Sequence, residues 1–173
     1  MVVVVTLDAS ECEDLTAACT GIGGLVEWLD ALEGRPGLAE LGERLEEAVL
    51  NVDAIDKCVG YADAGYQRNI VKITEHYEMV LVTWKPGQDT PIHDHTGSDC
   101  AFNIVAGEST ETVYSLDEDG RAVTKEVRIY LPGTVCAADE SDIHRVSNDT
   151  DVNLINLHVY TPPLTGFGIY DAA

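Results

Sequence analysis

At 173 residues with 45% hydrophobic content, the chain has the length of one domain and enough apolar material for one sizeable core. Its 31 acidic residues against 10 basic ones give a formal charge of -21, a field that repels phosphate backbones and anionic lipid headgroups, so neither nucleic acid nor a membrane is an expected partner. The apolar opening MVVVVTL lacks the basic flank of a signal peptide, and the five cysteines (Cys12, Cys19, Cys58, Cys100, Cys136) are scattered without the pairing of a disulfide framework or zinc knuckle. A reducing cytoplasm is the expected location, for a monomer or small homo-oligomer.

From about residue 9 to 56 the pattern is helical. Leu25, Trp28, Leu29 and Leu32 recur at helical spacing, as do Leu38, Leu41, Leu45 and Val49 after the EGRPG break, which predicts two or three short helices. From Tyr66 onward the period is two, in YEMVLVTW (Tyr77 to Trp84) and NLINLHVY (Asn153 to Tyr160), with turn signals at KPGQ, DEDG, LPG and SNDT. Many short strands at such spacing predict a mainly β domain over about 66–170, a sandwich or small barrel. The helical part is too short to stand alone, so 1–173 is expected to be a single domain.

The chemistry lies in the β part. His93 and His95 are two residues apart, so in a strand they share a face and form a ready pair of metal ligands. The plain alternative is a solvated loop carrying two incidental histidines. Of the five histidines, His144 and His158 also sit in strand-like stretches, DIHRV and LHVY, and His144 is a candidate third ligand. Histidine spacing leaves zinc for hydrolysis and iron for oxygen chemistry both open. His76, in TEHYE, is expected to be exposed and inert. Tyr114 and Tyr130 are expected to be ordinary core tyrosines.

The series Gly87, His93-x-His95, Cys100 and Gly107 resembles the first cupin motif, with cysteine in place of its usual glutamate, and HRVSN after LPG resembles part of the second. Four stretches, YQRN (Tyr66 to Asn69), IHDHTGSDC (Ile92 to Cys100), DIHRV (Asp142 to Val146) and LHVYTPP (Leu157 to Pro163), together resemble the thiol dioxygenases, cysteine dioxygenase in particular. That resemblance implies a cupin fold, a small jelly-roll-like barrel with N-terminal helices. It also implies Fe(II) held by His93, His95 and His144 without a carboxylate. Cys100 would be the cysteine that animal enzymes join covalently to a tyrosine, here Tyr160.

By the same resemblance Arg68 would bind a substrate carboxylate with Tyr66 nearby, and His158 would position the phenol of Tyr160 near oxygen or thiolate. A salt bridge is the ordinary fate of an arginine in so acidic a chain. Two departures concern the pocket: the family's Ser-x-His-x-Tyr reads Asn156-x-His158-x-Tyr160, and Phe167 stands where the animal enzyme has a cysteine. The expected reaction is oxidation of a small carboxylated thiol by O2 to its sulfinic acid, as in cysteine catabolism. L-cysteine leads because Arg68 is present. Mercaptopropionate, cysteamine and ergothioneine remain open as substrates, and a metal-binding cupin sensor is the alternative from another class.

Overall fold

The computed structural model describes residues 1–138 and 141–173. It confirms a mainly β domain with N-terminal helices, arranged as two facing sheets. Four helices occupy the expected stretch: α1 (Ala9–Ala18), α2 (Thr20–Asp30), α3 (Leu38–Glu47) and α4 (Val52–Cys58). This exceeds the predicted two or three, because polar N-caps restart the chain. The Asp8 side chain accepts from the Glu11 amide while Glu11 reaches back to the Asp8 amide, and Asn51 accepts from the amide of Ala54. The predicted stripe ends early: α3 stops at Glu47, which leaves Val49 exposed rather than packed.

The strands are β1 (Val2–Thr6), β2 (Tyr66–Ile73), β3 (Glu78–Trp84), β4 (Ile92–His93), β5 (Asp99–Ala106), β6 (Ser109–Leu116), β7 (Ala122–Tyr130), β8 (Val135–Ala138), β9 (Ile143–Ser147), β10 (Leu154–Thr161) and β11 (Ile169–Tyr170). They form a six-stranded sheet, ordered β1-β2-β3-β10-β5-β8, and a five-stranded sheet, ordered β11-β4-β9-β6-β7. The opening valines, predicted only to be apolar, form an edge strand that pairs parallel with β2, Val2 against Tyr66.

Strands β3 and β10 are buried along their whole length because each face has its own cover. Met79, Leu81, Ile155, Leu157 and Val159 point outward and join Leu15, Ile22, Leu29, Leu41 and Leu45 of the helices in one core. Val80, Val82, Trp84, Leu154 and Tyr160 point inward and meet Cys100, Phe102, Ile104 and Val146 between the sheets. Successive residues of a strand point to opposite faces. That parity turns His158 and Tyr160 into the barrel and leaves Leu157 and Val159 to anchor the helices. YQRN divides the same way. Tyr66 and Arg68 face inward, while the Asn69 amide lies on the helical side, accepting from the Gly60 amide and donating to the Leu81 carbonyl.

Candidate metal centre and adjoining pocket

His93 lies on β4, His144 directly opposite it on β9, and His95 in the turn that follows β4. One nitrogen from each gathers within 4.8 Å of the others, and all three side chains are buried. The Nε2 atoms of His95 and His144 are 3.2 Å apart. With bonds of about 2.0–2.1 Å, two imidazoles on one transition metal hold their nitrogens about 3.0–3.4 Å apart, so this pair already has the right separation.

Charge and hydrogen bonding suit the rings to the same task. Burial, then the neighbouring His144, pushes the His93 pKa down to about 4, and burial with His144 and His93 pushes that of His95 to about 2. Both rings are therefore neutral at pH 7, as a metal ligand must be. Two of the three donate their other nitrogen to an acceptor, His93 Nδ1 to the Pro91 carbonyl at 2.9 Å and His144 Nδ1 to Glu111 Oε1 at 2.6 Å. This fixes the tautomer with Nε2 free to bind a metal. The Glu111 carboxylate also accepts from the Tyr130 hydroxyl at 3.0 Å and lies 3.7 Å from Arg128. Despite its burial, His144, Tyr130 and Arg128 hold it below the usual carboxylate range. Tyr130, expected to be an ordinary core tyrosine, thus serves the carboxylate that orients His144.

Asp94, between the first two histidines, is buried and engaged. It accepts from the Thr96 amide and hydroxyl, the Gly168 amide and the Tyr170 hydroxyl, the last at 2.6 Å. These bonds tie the metal loop to β11 and bring the Phe167 ring edge-on to His93 at 5.9 Å. A cavity of about 400 Å³, lined by Met1, Val2, Tyr66, Pro91 and Phe167 among others, opens beside it.

The six-stranded sheet supplies the other wall. Tyr160 pairs across strands with Cys100 on one side and Glu78 on the other, so the three side chains stand abreast on the inner face. His158 Nδ1 is 3.2 Å from the Tyr160 hydroxyl and 3.6 Å from Cys100 Sγ. The Tyr160 ring lies 5.8 Å from that of His95, which joins this wall to the histidine cluster. Burial raises the pKa values of both Cys100 and Tyr160, and burial with Arg68 drives that of His158 well down. Thiol and phenol keep their protons while the imidazole stays a neutral acceptor.

Asn156 does not reach His158. Its amide donates to Ser109 Oγ, while its Oδ1 and the His158 Nε2 have no hydrogen-bond partner among the described residues. Arg68 lies with its guanidinium carbon 5.2 Å from the centre of the Tyr160 ring. It is not the surface salt bridge that composition alone suggests: it forms a partly buried ion pair with Glu78, Nη2 to Oε1 at 2.7 Å. Burial opposes its charge, but Tyr160 and Glu78 more than offset this and hold its pKa above the ordinary value. Tyr66 is buried in the same wall and stacks on Trp84 at 6.0 Å. His76 is exposed, as expected, and Tyr114 is buried in a small cluster with Ile92 and Ala122.

Sequence reasoning missed Glu78 and Glu111. The signal for Glu78 was its place beside an inward strand that already carried Arg68. For Glu111 it was an acid at a strand position in phase with a metal wall. No helix among the described residues is long and apolar enough to cross a membrane.

The sequence was compared with known proteins. Cysteine dioxygenase type 1 from Homo sapiens is 29% identical over 111 residues, 61% of this chain and 56% of the human protein, and that from Danio rerio is 27% identical over 119 residues. The chain thus matches somewhat more than half the length of these relatives. Among solved structures, a Klebsiella pneumoniae protein with a double-stranded β-helix domain superposes with a TM-score of 0.58 at 20% identity, covering 71% of this chain and 96% of that one. A Thermus thermophilus protein gives 0.54 at 23% identity, over 63% and 94% of the two chains. Both are similar in fold. The family model described as cysteine dioxygenase type I matches residues 51–173, from the last helix through every strand except β1, and the chain belongs to that family.

Proposed function

We propose that the protein is a thiol dioxygenase, which uses ferrous iron and O2 to convert a small carboxylated thiol, with L-cysteine the leading candidate, into its sulfinic acid. Thiolate and O2 combine to sulfinate with both oxygen atoms on sulfur, so no further reductant is needed. The observation that carries this reading is the meeting of two walls: three convergent imidazoles on one side, and Arg68, Tyr160, His158 and Cys100 on the other. The likeness to cysteine dioxygenase type 1 supports the same activity.

His93, His95 and His144 would hold the metal through Nε2. Iron held there supplies the redox chemistry between thiolate and O2. Arg68 has five N–H donors, and Glu78 engages one side of the fork, leaving others to grip a carboxylate. Tyr160 keeps its proton at Oη and is fixed by His158 Nδ1, so it presents an oriented hydroxyl toward the histidine cluster. Trp84 and Phe102, both fully buried, keep water from the back of the pocket.

Cys100 and Tyr160 are direct cross-strand partners, close enough for their side chains to meet. Oxidation by O2 during turnover would form a bond between Cys100 Sγ and the tyrosine ring with loss of two hydrogens. A fraction of the protein should then run as a faster band on a reducing denaturing gel, and Cys100→Ser should abolish that band.

The deciding experiment is oxygen uptake by the iron-loaded protein against cysteine, 3-mercaptopropionate, cysteamine and ergothioneine, with product mass measured under 18O2. A sulfinate carrying two labelled oxygens is expected. Turnover of none of these thiols would end the dioxygenase reading and favour a metal-binding sensor.

A further inference from the structure

Strand β1 is the least guarded edge of the fold. It closes one side of the six-stranded sheet by pairing with β2, and among the described residues no strand pairs with its outer side. Val2, Val3, Val4 and Val5 are each between 36 and 55% exposed, so both of its faces are open as well. An apolar edge of this kind accepts a further strand, and proteins ordinarily blunt it with charge, proline or shortness. The other edges here follow that practice. Strand β7 carries Lys125, Glu126 and Arg128, and β8 and β11 run for only four and two residues. Strand β1 has no such guard, yet it is held firmly in place: Gly65, at φ +74°, leaves no room for a Cβ against the Met1 backbone.

The open side of β1 is self-complementary. The Leu7 amide donates to the Ile70 carbonyl at 3.0 Å. Alternate residues of a strand direct their N–H and C=O groups to opposite sides, so Val3 and Val5 bond β2 while Val2, Val4 and Thr6 hold theirs outward. Those three positions are symmetric about Val4. A two-fold axis there sets Val4 against Val4 of the partner subunit and Val2 against Thr6 of the partner subunit, in antiparallel pairs that exchange about six hydrogen bonds. Charge selects the same occupant. The chain carries a formal charge of -21, but Met1 to Leu7 contains no charged side chain, so two copies can meet here without bringing acids together. A basic partner would find no acid on this strip.

We propose that the protein associates through β1 into a two-fold dimer, in which the six-stranded sheets of two copies join edge to edge. The contact is small beside that of a permanent dimer, so a dissociation constant of about 1–100 μM is expected. It also reaches the pocket. Val2 and Val4 are in register with Tyr66 and Arg68 and share their face of the sheet. Val2 lines the cavity of about 400 Å³ with Tyr66 and Phe167, so Thr6 of the partner subunit joins the rim of that cavity.

Sedimentation equilibrium from about 1 μM to about 1 mM tests the dimer. The wild-type protein should pass from monomer to dimer. Association should strengthen about tenfold or more between roughly 0.05 and 1 M NaCl, as repulsion between the two negative chains is screened. Val4→Pro should be monomeric throughout with an unchanged circular dichroism spectrum, because the Val4 amide bonds nothing within its own sheet and proline is tolerated on an outward edge. A wild-type protein that stays monomeric, a dimer that Val4→Pro leaves intact, or one that salt weakens would overturn the proposal.

If the proline variant does not fold, Val4→Cys decides. Under a mild disulfide-forming oxidant it should link two chains through that residue, since directly paired Cα atoms about 5.5 Å apart lie within disulfide reach. Val5→Cys, which stands opposite Val3 of the partner subunit, is too far from its own copy to link. Linked peptides at both positions alike, or at neither, would overturn the two-fold pairing.

Discussion

The two inner walls of the barrel are built from the same kind of strand but do different work. The five-stranded sheet contributes His93, His144 and, behind them, Glu111, a set of rings and a carboxylate oriented toward one point. The six-stranded sheet contributes Arg68, Glu78, Cys100, His158 and Tyr160, groups spread over a surface that a small molecule could touch. On the proposed function, the difference teaches that metal binding and ligand selection would be separable. A residue altered on one wall should then leave the task of the other in place.

His144→Ala should have the largest effect. It should lose bound iron and abolish turnover while changing the melting temperature of the metal-free protein little, because the apolar strands build the core. His76→Ala, on an exposed ring, is the control. Full iron occupancy in His144→Ala, by elemental analysis, would break the division between walls.

Arg68→Ala comes next and should leave iron content intact. It should raise KM for a carboxylated thiol by about 10- to 150-fold, the equivalent of a charge-assisted hydrogen bond of roughly 1.5–3 kcal/mol, and leave cysteamine unharmed. Because the variant strands Glu78 without its partner, it should be measured alongside Arg68→Ala combined with Glu78→Gln. Equal losses for charged and uncharged thiols would make Arg68 structural.

Glu111→Gln tests the layer behind the metal wall. It should weaken metal affinity about 10- to 100-fold, the usual consequence of removing a carboxylate that orients a ligating histidine. Unaltered affinity, by competition with a chelator, would show that the strand alone orients His144.

The smallest effect belongs to neither wall. Asp30 accepts from Lys72 at 2.6 Å and Tyr77 at 2.8 Å, and despite partial burial these bonds hold it below the ordinary carboxylate range. A depressed pKa adds stability above the unfolded value, lost as pH falls through the folded one. Asp30→Asn should therefore cost no more than about 1 kcal/mol at pH 7, since the pair is largely exposed, and the difference should vanish in acid. A larger effect in urea denaturation would show that the helical face is more sensitive than its exposure implies.

The metal wall was the more legible of the two in the sequence. His93 and His95 announce themselves by spacing, while His144 was one of two further strand histidines and the family resemblance singled it out. The substrate wall was legible only in part. Arg68, His158 and Tyr160 came from the family resemblance, but Glu78 opens a strand next to a turn and reads as solvated. Only the antiparallel register, which sets it beside Tyr160, turns it inward. Glu111 reads as one polar residue in an alternating strand, STETVY, whose two faces the sequence does not distinguish. The opening valines were illegible for a different reason: their partner is β2, across all four helices, and local pattern carries no information about so distant a pairing.

That distance has a kinetic consequence. Val2 pairs with Tyr66, Glu78 with Tyr160 and His93 with His144, so neither wall exists until strands remote in sequence have met. Closing such loops costs entropy before any contact repays it, and chains dominated by non-local pairs fold on the millisecond-to-second scale. The three nitrogens, drawn from β4, the turn after it and β9, should reach their final spacing only in the native state. A metal ion that recognises only the finished arrangement should leave the refolding rate nearly unchanged and act on the reverse step, lengthening the lifetime of the native state as its concentration rises.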